Sequence, residues 1–308
     1  MTSIFDCIIV GSGIAGMTSA IYLKRAGKRV LLLEKSAPGG QINMSPSVEN
    51  YPGFLNIEGA ILASNIFEQT QKLNIDYKYG NVLNIKKEKK IFTVITDIES
   101  YKTGSIIIAT GRKVEKLNLN YEEELIGKGI SYCAICDGNF FRGKNVSIYG
   151  NDYKVLEEAI YLANICNNVN IICENDKFEN NTTLLEKIKE YKNITIYFNC
   201  KIIELIKNNE LLSGIKIKKT SEKIINCECL FVGNNLVPDL DFLSDIKKDN
   251  GYIIVDKNMN TSIKGVFACG DVIKKDIYQL TTAIGEATIS ANSVLAYLTG
   301  GEKWKRKL

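Results

Sequence analysis

Histidine is absent from all 308 residues, so no mechanism that needs an imidazole base or ligand is open to this chain. Acid and base duties fall to carboxylates, cysteine, lysine and tyrosine. No apolar run approaches the roughly 20 residues that span a bilayer, and no membrane association is expected. The N-terminal stretch Met1 to Asp6 has no basic segment followed by a long apolar one, so no export is expected either. A large excess of one charge is also missing: the formal balance is +4 with lysines interspersed among acids, which leaves no nucleic-acid footprint. Nine cysteines, an odd number scattered along the chain, do not make the framework of a small secreted scaffold, and a reducing, cytoplasmic location follows. The chain is long enough for about two domains.

What is present is a repeated architecture. The run Cys7 to Val10, the loop Gly11 to Gly16, the helix-like Met17 to Ala26 and the run Val30 to Leu33 ending in Glu34 form a βαβ unit. A second such unit runs from Asn145 to Tyr149, through the helix-like Val155 to Asn164, to the strand Val169 to Cys173. Ser105 to Gly111 and Gly265 to Asp271 read as short buried strands ending in small residues, suited to close approach by a ligand. The expected fold is therefore α/β with two Rossmann-like, three-layer nucleotide-binding domains. The second, residues 113–243, is inserted into the first, residues 1–112 and 244–308. The polar stretches Glu174 to Thr183 and Ile206 to Glu210 read as loops or strand ends.

Gly11, Gly13 and Gly16, between a strand and a helix, give the tight turn, the close approach to a pyrophosphate and the helix packing that a dinucleotide site requires. Glu34 follows the next strand at about the 20-residue spacing of an acid that accepts from ribose hydroxyls. Cys133 and Cys136 stand across one turn, close enough for a disulfide that opens without large backbone change, and Asp137 beside them can supply the proton a leaving thiolate needs. A CxxC is also half of a zinc site. The other close pair, Cys227 and Cys229, is spaced too tightly for a zinc knuckle and fits strand residues on one side, so no metal is expected. Cys7, Cys166, Cys173, Cys200 and Cys269 read as core thiols.

Gly39-Gly40-Gln41, the stretch Val48 to Gly53, Ala109-Thr110-Gly111, Gly270-Asp271-Val272 and the segment Cys133 to Gly138 together resemble the successive signatures of the low-molecular-weight thioredoxin reductases, and the resemblance runs essentially end to end. It implies FAD in the first domain, with Ser12, Ile14, Ala15 and Lys35 joining the three glycines and Glu34 among the cofactor-binding residues. It further implies Gln41, Asn50 and Gln279 near the flavin or its linker, and Gly40, Val82, Ala109, Thr110 and Gly111 among the cofactor-binding residues. Asp271 would lie near the ribityl chain, with Gly270, Leu280 and Thr281 also cofactor-binding; for Asp271, a turn or helix-cap role has the same spacing. In the family the second cysteine faces the flavin and the first attacks the partner disulfide, roles carried here to Cys136 and Cys133. The resemblance implies a thioredoxin-like substrate and a homodimer through the FAD domain. Related ferredoxin-NADP reductases lack the cysteine pair.

The second domain departs from the NADPH-dependent pattern. Its glycine motif falls on Gly150 to Val155, with Asp152 at the second glycine, and the cluster of arginines for a 2′-phosphate falls on Cys173 to Glu179, where no arginine remains. Asp152, Glu174 and Glu179 put negative charge where an anion would sit, a repulsion of about 4 kcal/mol for two unit charges about 4 Å apart at intermediate dielectric. Lys154 and Lys177 do not reproduce a bidentate clamp. NADPH is not expected to bind. This resembles the ferredoxin-dependent flavin thioredoxin reductases, making reduced ferredoxin the expected donor. The competing readings are a reductase that takes NADPH or NADH in an atypical pocket, with Glu174 toward an NADH ribose, and a non-catalytic flavin redox sensor. The basic run Lys303 to Lys307 suits either a docking role toward an acidic protein or a solvated terminus, and Trp304 within it suits a flavin cover or a dimer contact.

Overall fold

The structure is a computed structural model that describes residues 4–300 except 46, 179–181 and 234–235; the side chains of Val114, Cys136 and Thr182 also lie outside the described residues. The sequence expectations for Glu179, the 303–307 run and Trp304 fall outside them as well. The chain divides into two compact units, Met1–Lys113 with Val237–Leu308, and Val114–Leu236.

In the first unit, β1 (Phe5–Val10), α1 (Ile14–Arg25) and β2 (Val30–Glu34) form the leading βαβ. They are followed by α2 (Gly59–Lys72), β3 (Asp76–Tyr79), the antiparallel β4 (Val82–Glu88) and β5 (Ile91–Thr96), and β6 (Ser100–Ile108). β2 is buried at every residue, as expected of a strand covered on both faces. The sheet order is β3-β2-β1-β6-β5-β4. β1 pairs parallel with both β2 and β6, so the C-terminal ends of the three strands converge on the loop after Val10. That convergence is where ligands bind in open parallel sheets.

Arg112–Val114 (β7) leads into the second unit, which contains α3 (Glu122–Leu125), β8 (Ile130–Ser131), α4 (Ala134–Asp137), β9 (Asn145–Tyr149), α5 (Tyr153–Ala163), β10 (Asn168–Cys173), α6 (Thr182–Ile188) and β11 (Ile194–Phe198). An antiparallel meander of β12 (Lys201–Asn208), β13 (Leu211–Lys218) and β14 (Glu222–Asn226) precedes β15 (Cys229–Val232). The main sheet, β11-β10-β9-β15-β8, is parallel throughout its described pairings. One core lies between it and α5, around Val155, Leu156 and Ala159; another lies under the meander, around Ile202, Ile215 and Leu230. The polar stretch after Cys173 is not all loop, since α6 begins within it at Thr182.

The chain returns through β16 (Leu236–Pro238), which pairs with β7, so the two connections between units run as a two-stranded ribbon. Leu240, Leu243 and Ile246 already pack in the first unit's core beside Ile8 and Ile106, which is why that unit resumes at Val237. β17 (Lys248–Asp249) and β18 (Tyr252–Ile253) form a hairpin, β19 (Val266–Ala268) adds parallel to β6, and α7 (Leu280–Leu298) closes the unit. Ala283, Ala287 and Ala291 recur every fourth residue and are buried, letting α7 lie close on α1. The fold is the expected α/β class with parallel sheets. Among the described residues no helix is long and apolar enough to cross a membrane, and no group of three or more His, Cys, Asp or Glu side chains could hold a metal ion.

Candidate functional site

The glycines after β1 do different jobs. Gly11 has φ +101°, and a Cβ there would lie 2.4 Å from the Ala109 carbonyl oxygen; at Gly16 it would lie 1.9 Å from the Gly11 carbonyl oxygen. Both are demanded by the packing of the loop itself. At Gly13 the nearest atom to such a Cβ is the Gly39 carbonyl oxygen at 4.0 Å, so the face between Gly13 and the Gly39–Gly40 turn is open. Helix α1 starts at Ile14 with no side-chain cap and no acid in its first turn, which leaves the amides of Ile14, Ala15 and Gly16 facing that opening without a competing carboxylate.

Glu34 is only 8% exposed at the end of β2. Its Oε2 accepts from the Ser12 amide and hydroxyl, both at 2.8 Å, and its Oε1 from the Ser36 amide at 2.9 Å and hydroxyl at 3.1 Å. These four donors fill the roughly four acceptor sites of a carboxylate. A ribose diol reaching Glu34 would take the places of the two serine hydroxyls, which can rotate away. Lys35 is engaged with Asp239, and the Val82 side chain lies in the core, leaving only its main chain for a ligand.

Farther along the same edge, the Thr110 hydroxyl and the Arg112 Nε are buried without a hydrogen-bond partner. The Arg112 guanidinium donates to Asp271 Oδ2 at 3.0 Å and stacks 4.3 Å above the Tyr278 ring. Lys275 Nζ lies 3.3 Å from Asp271 Oδ1 and 2.9 Å from Glu286 Oε2, which also accepts the Gly270 amide at 2.9 Å. Burial pushes the Glu286 carboxyl above its ordinary range, against the opposing pull of Lys275. Gln41 Nε2 donates to the Arg112 carbonyl at 2.7 Å, and Asn50 Nδ2 to Gln279 Oε1 at 3.0 Å. Gln279 also caps α7 ahead of Leu280 and Thr281. Sequence reasoning missed Arg112, Lys275, Tyr278 and Glu286; the one available signal was a cation directly after the buried strand that ends at Gly111.

In the second unit Cys133 follows β8 and is disulfide-bonded, while the side chain of Cys136 lies outside the described residues. The Asp137 amide donates to the Cys133 carbonyl at 3.1 Å, closing one helical turn. Ser131, 6% exposed, donates its hydroxyl to Asp137 Oδ2 at 2.7 Å and accepts the Cys133 amide at 3.1 Å. Behind them the buried Glu122 holds the amides of Leu117 and Asn118 and the Tyr132 hydroxyl, each at 2.8 Å. Gly138 packs tightly, because a Cβ there would come within 2.9 Å of the Tyr161 ring on α5 and displace it. Ile135 and Phe140, 49% and 78% exposed, leave apolar surface beside the cysteine turn.

The other seven described cysteines are free and buried. Burial raises the Cys7 and Cys269 thiols to about 12, so neither carries thiolate at neutral pH. Cys227 lies just past the end of β14 and Cys229 opens β15, so their spacing does not come from alternation along one strand.

The second glycine loop is closed from within. Asp152 is the N-cap of α5, its carboxylate accepting the Lys154 amide at 3.0 Å and the Val155 amide at 3.3 Å. Those are the donors a pyrophosphate would use. Asn151 Oδ1 accepts the Glu174 amide at 2.9 Å, and Glu174 is also bound by the Tyr149 hydroxyl. Asp152 was expected to repel an anion; the structure adds that it takes the anion's hydrogen bonds. Glu158, one turn farther along α5, is raised to about 7 by burial first and by Asp152 next.

Residues 5–287 match the pyridine nucleotide-disulphide oxidoreductase family. The chain is 35% identical to the thioredoxin reductase of Listeria monocytogenes over 96% of its own length and 94% of that protein's. Among solved structures it is similar to the thioredoxin reductase of Lactococcus lactis, with 34% identity, a TM-score of 0.84, and coverage of 96% of this chain and 99% of that one. It is also similar to a ferredoxin-flavin thioredoxin reductase of Clostridium acetobutylicum, with 28% identity, a TM-score of 0.56, and coverage of 97% and 99%. With an open glycine turn ahead of an uncapped helix after β1, a disulfide-bonded cysteine beside an acid, and this end-to-end likeness, the chain belongs to the thioredoxin reductases of the pyridine nucleotide-disulphide oxidoreductase family.

Proposed function

We propose that this protein reduces the disulfide of a thioredoxin-like partner through Cys133 and Cys136, and that its electrons come from reduced ferredoxin rather than NADPH. The cradle fits FAD: the open face at Gly13 and the uncapped start of α1 suit a pyrophosphate, Glu34 a ribose diol, and the unpartnered Thr110 hydroxyl and Arg112 Nε a polar group lying along the strand ends. Bound FAD would supply a carrier that accepts electrons singly or in pairs and reduces a disulfide.

The chain's own residues then carry the thiol chemistry. The Cys133 thiolate attacks the partner disulfide, forming a mixed disulfide and releasing the partner's first sulfur as a thiolate. The Cys136 thiolate then attacks the Cys133 sulfur and displaces the partner's second sulfur as a thiolate, closing the intramolecular disulfide and leaving the partner a dithiol. Asp137 provides a proton at the departing sulfur. Ile135 and Phe140 suit an apolar rim on the partner. The pair must serve both a cofactor held by the first unit and a bulky protein, so rotation about the β7/β16 connections accompanies turnover, in a homodimer formed through the first unit.

The observation that carries the choice of donor is the Asp152 carboxylate on the α5 amides, with Glu174 and no arginine at the end of β10. Direct competition for the same donors, added to charge repulsion, weighs against any dinucleotide there. A second reading, a reductase driven by NADPH or NADH through an altered pocket, is favoured by the higher TM-score with the Lactococcus lactis enzyme than with the ferredoxin-flavin enzyme. Anaerobic bleaching of the flavin absorbance separates the two. Reduced ferredoxin is expected to bleach it within seconds while NADPH and NADH at micromolar concentration leave it yellow; rapid bleaching by NADPH overturns the ferredoxin reading.

A further inference from the structure

Ser131 has one hydroxyl hydrogen and two acceptors within reach. Asp137 Oδ2 lies at 2.7 Å and the Cys133 carbonyl oxygen at 3.3 Å, while its own oxygen accepts the Cys133 amide at 3.1 Å. The two donations cannot both be strong at once. They correspond to the two states of the carboxyl group. When Asp137 is ionised, the Ser131 hydroxyl turns to it in a charge-assisted bond. When Asp137 holds a proton, that proton can lie toward Ser131 Oγ, and the serine hydrogen swings to the Cys133 carbonyl, which already accepts the Asp137 amide at 3.1 Å. A carbonyl oxygen has room for both. No buried polar group loses its partner in either state.

We infer that Ser131 is a positioning residue for the acid of the cysteine turn, a hydroxyl rotor that lets Asp137 give up and regain its proton with every hydrogen bond kept. The inference rests on the reading that Asp137 supplies the proton to the departing sulfur. In that step the S–S bond breaks, the leaving sulfur takes the electron pair, the Asp137 proton moves to it, and the carboxylate left behind receives the Ser131 hydroxyl. The site is shielded enough for these bonds to matter, since Ser131 is 6% exposed on β8.

Other titratable or charged groups lie around Asp137. Cys133 is on its own turn. Cys229 of β15 feels its charge; that thiol is driven upward first by burial, then by Cys227 and by Asp137. On α5, Tyr161 accepts the Asn139 amide at 3.2 Å, and Arg142 is tied to Asn139 at 3.0 Å. Glu158 is also on α5, but the charges acting on it are Asp152, Lys154 and Glu157.

The test follows the carboxylic-acid carbonyl stretch of Asp137 against pH in infrared difference spectra of the full-length flavoprotein, the band being assigned by its loss in Asp137→Asn. Removing the hydroxyl withdraws a bond that favours the ionised form, so Ser131→Ala is expected to move the midpoint upward by about one pH unit, a tenfold change in proton affinity. Ser131→Thr is expected to restore it. Unfolding curves of the variants establish that each is folded. A Ser131→Ala midpoint equal to that of the parent overturns the inference, as does a shift that threonine does not reverse. The role of Asp137 itself is judged separately: an Asp137→Asn protein that reduces thioredoxin at the parental rate removes the acid function, whatever the infrared titration reads.

Discussion

A methyl group at Gly13 and one at Gly16, three residues apart in the same loop, have opposite expected outcomes. At Gly16 the added carbon meets the Gly11 carbonyl oxygen at 1.9 Å, so Gly16→Ala must displace backbone and is expected to destabilise the first unit by about 1–3 kcal/mol or more. At Gly13 nothing lies closer than 4.0 Å, so Gly13→Ala should melt within a few degrees of the parent yet take up flavin far more weakly. Thermal unfolding and flavin content on the same two preparations check both. A Gly13→Ala protein that keeps full flavin contradicts the assignment of that face. The sequence motif named both glycines but could not separate their jobs, because spacing carries no information on what faces a missing side chain. For the same reason Ser131 stayed invisible: its importance lies in two distances to residues that follow it, and nothing about a lone serine before a CxxC predicts them. Cys133, Cys136 and Asp137 stand out in the sequence because the chemistry they suggest is local, contained in one turn of chain.

Helix α5 illustrates what an element adds to its residues. At its start the sequence shows a dinucleotide-type loop with a misplaced charge; that the charge caps the helix is not visible there, because capping depends on backbone angles beyond the motif. Asp152→Ala should therefore cost about 0.5–2 kcal/mol in urea unfolding even though it relieves repulsion in the loop. Glu158, on the same helix, carries a pH dependence of its own. Its folded-state value is raised from the ordinary 4.5 to about 7, so the folded protein binds more protons than the unfolded chain between those values. Stability from this group is present at acid pH and declines as pH rises through that window, by up to about 1.4 kcal/mol per pH unit. In urea unfolding between pH 5 and 8, Glu158→Gln is expected to flatten that decline. An unchanged slope would mean the carboxyl is ionised throughout. The two βαβ units stand out in the sequence because their strands are uninterrupted apolar runs, whereas α2 and α6 are not marked there, and the polar start of α6 reads as loop.

At the scale of the whole molecule, the second unit is one continuous piece of chain with two cores of its own, whereas the first is assembled from both ends. A fragment of residues 114–236 is accordingly expected to fold alone, with one cooperative urea transition and no flavin, since the cradle belongs to the other unit. Gradual, non-cooperative unfolding of that fragment would show that its cores depend on the rest of the chain. In the sequence, the second βαβ pattern framed by Ser105 to Gly111 and Gly265 to Asp271 suggests an inserted unit. The point of return is less evident, because Leu240, Leu243 and Ile246 sit in a stretch with no regular period and reveal their allegiance only by what they pack against.

The late arrival of β19 and α7 bears on how the protein is made. As the ribosome releases the chain from its N-terminus, β6 waits with half an edge unpaired and α1 without its covering helix until residues 266–298 emerge. Gly270 and Asp271 come in that same late stretch. The nascent protein must hold an unfinished sheet through synthesis of the entire inserted unit, and a chain cut short before β19 would be colourless and prone to stick to its neighbours.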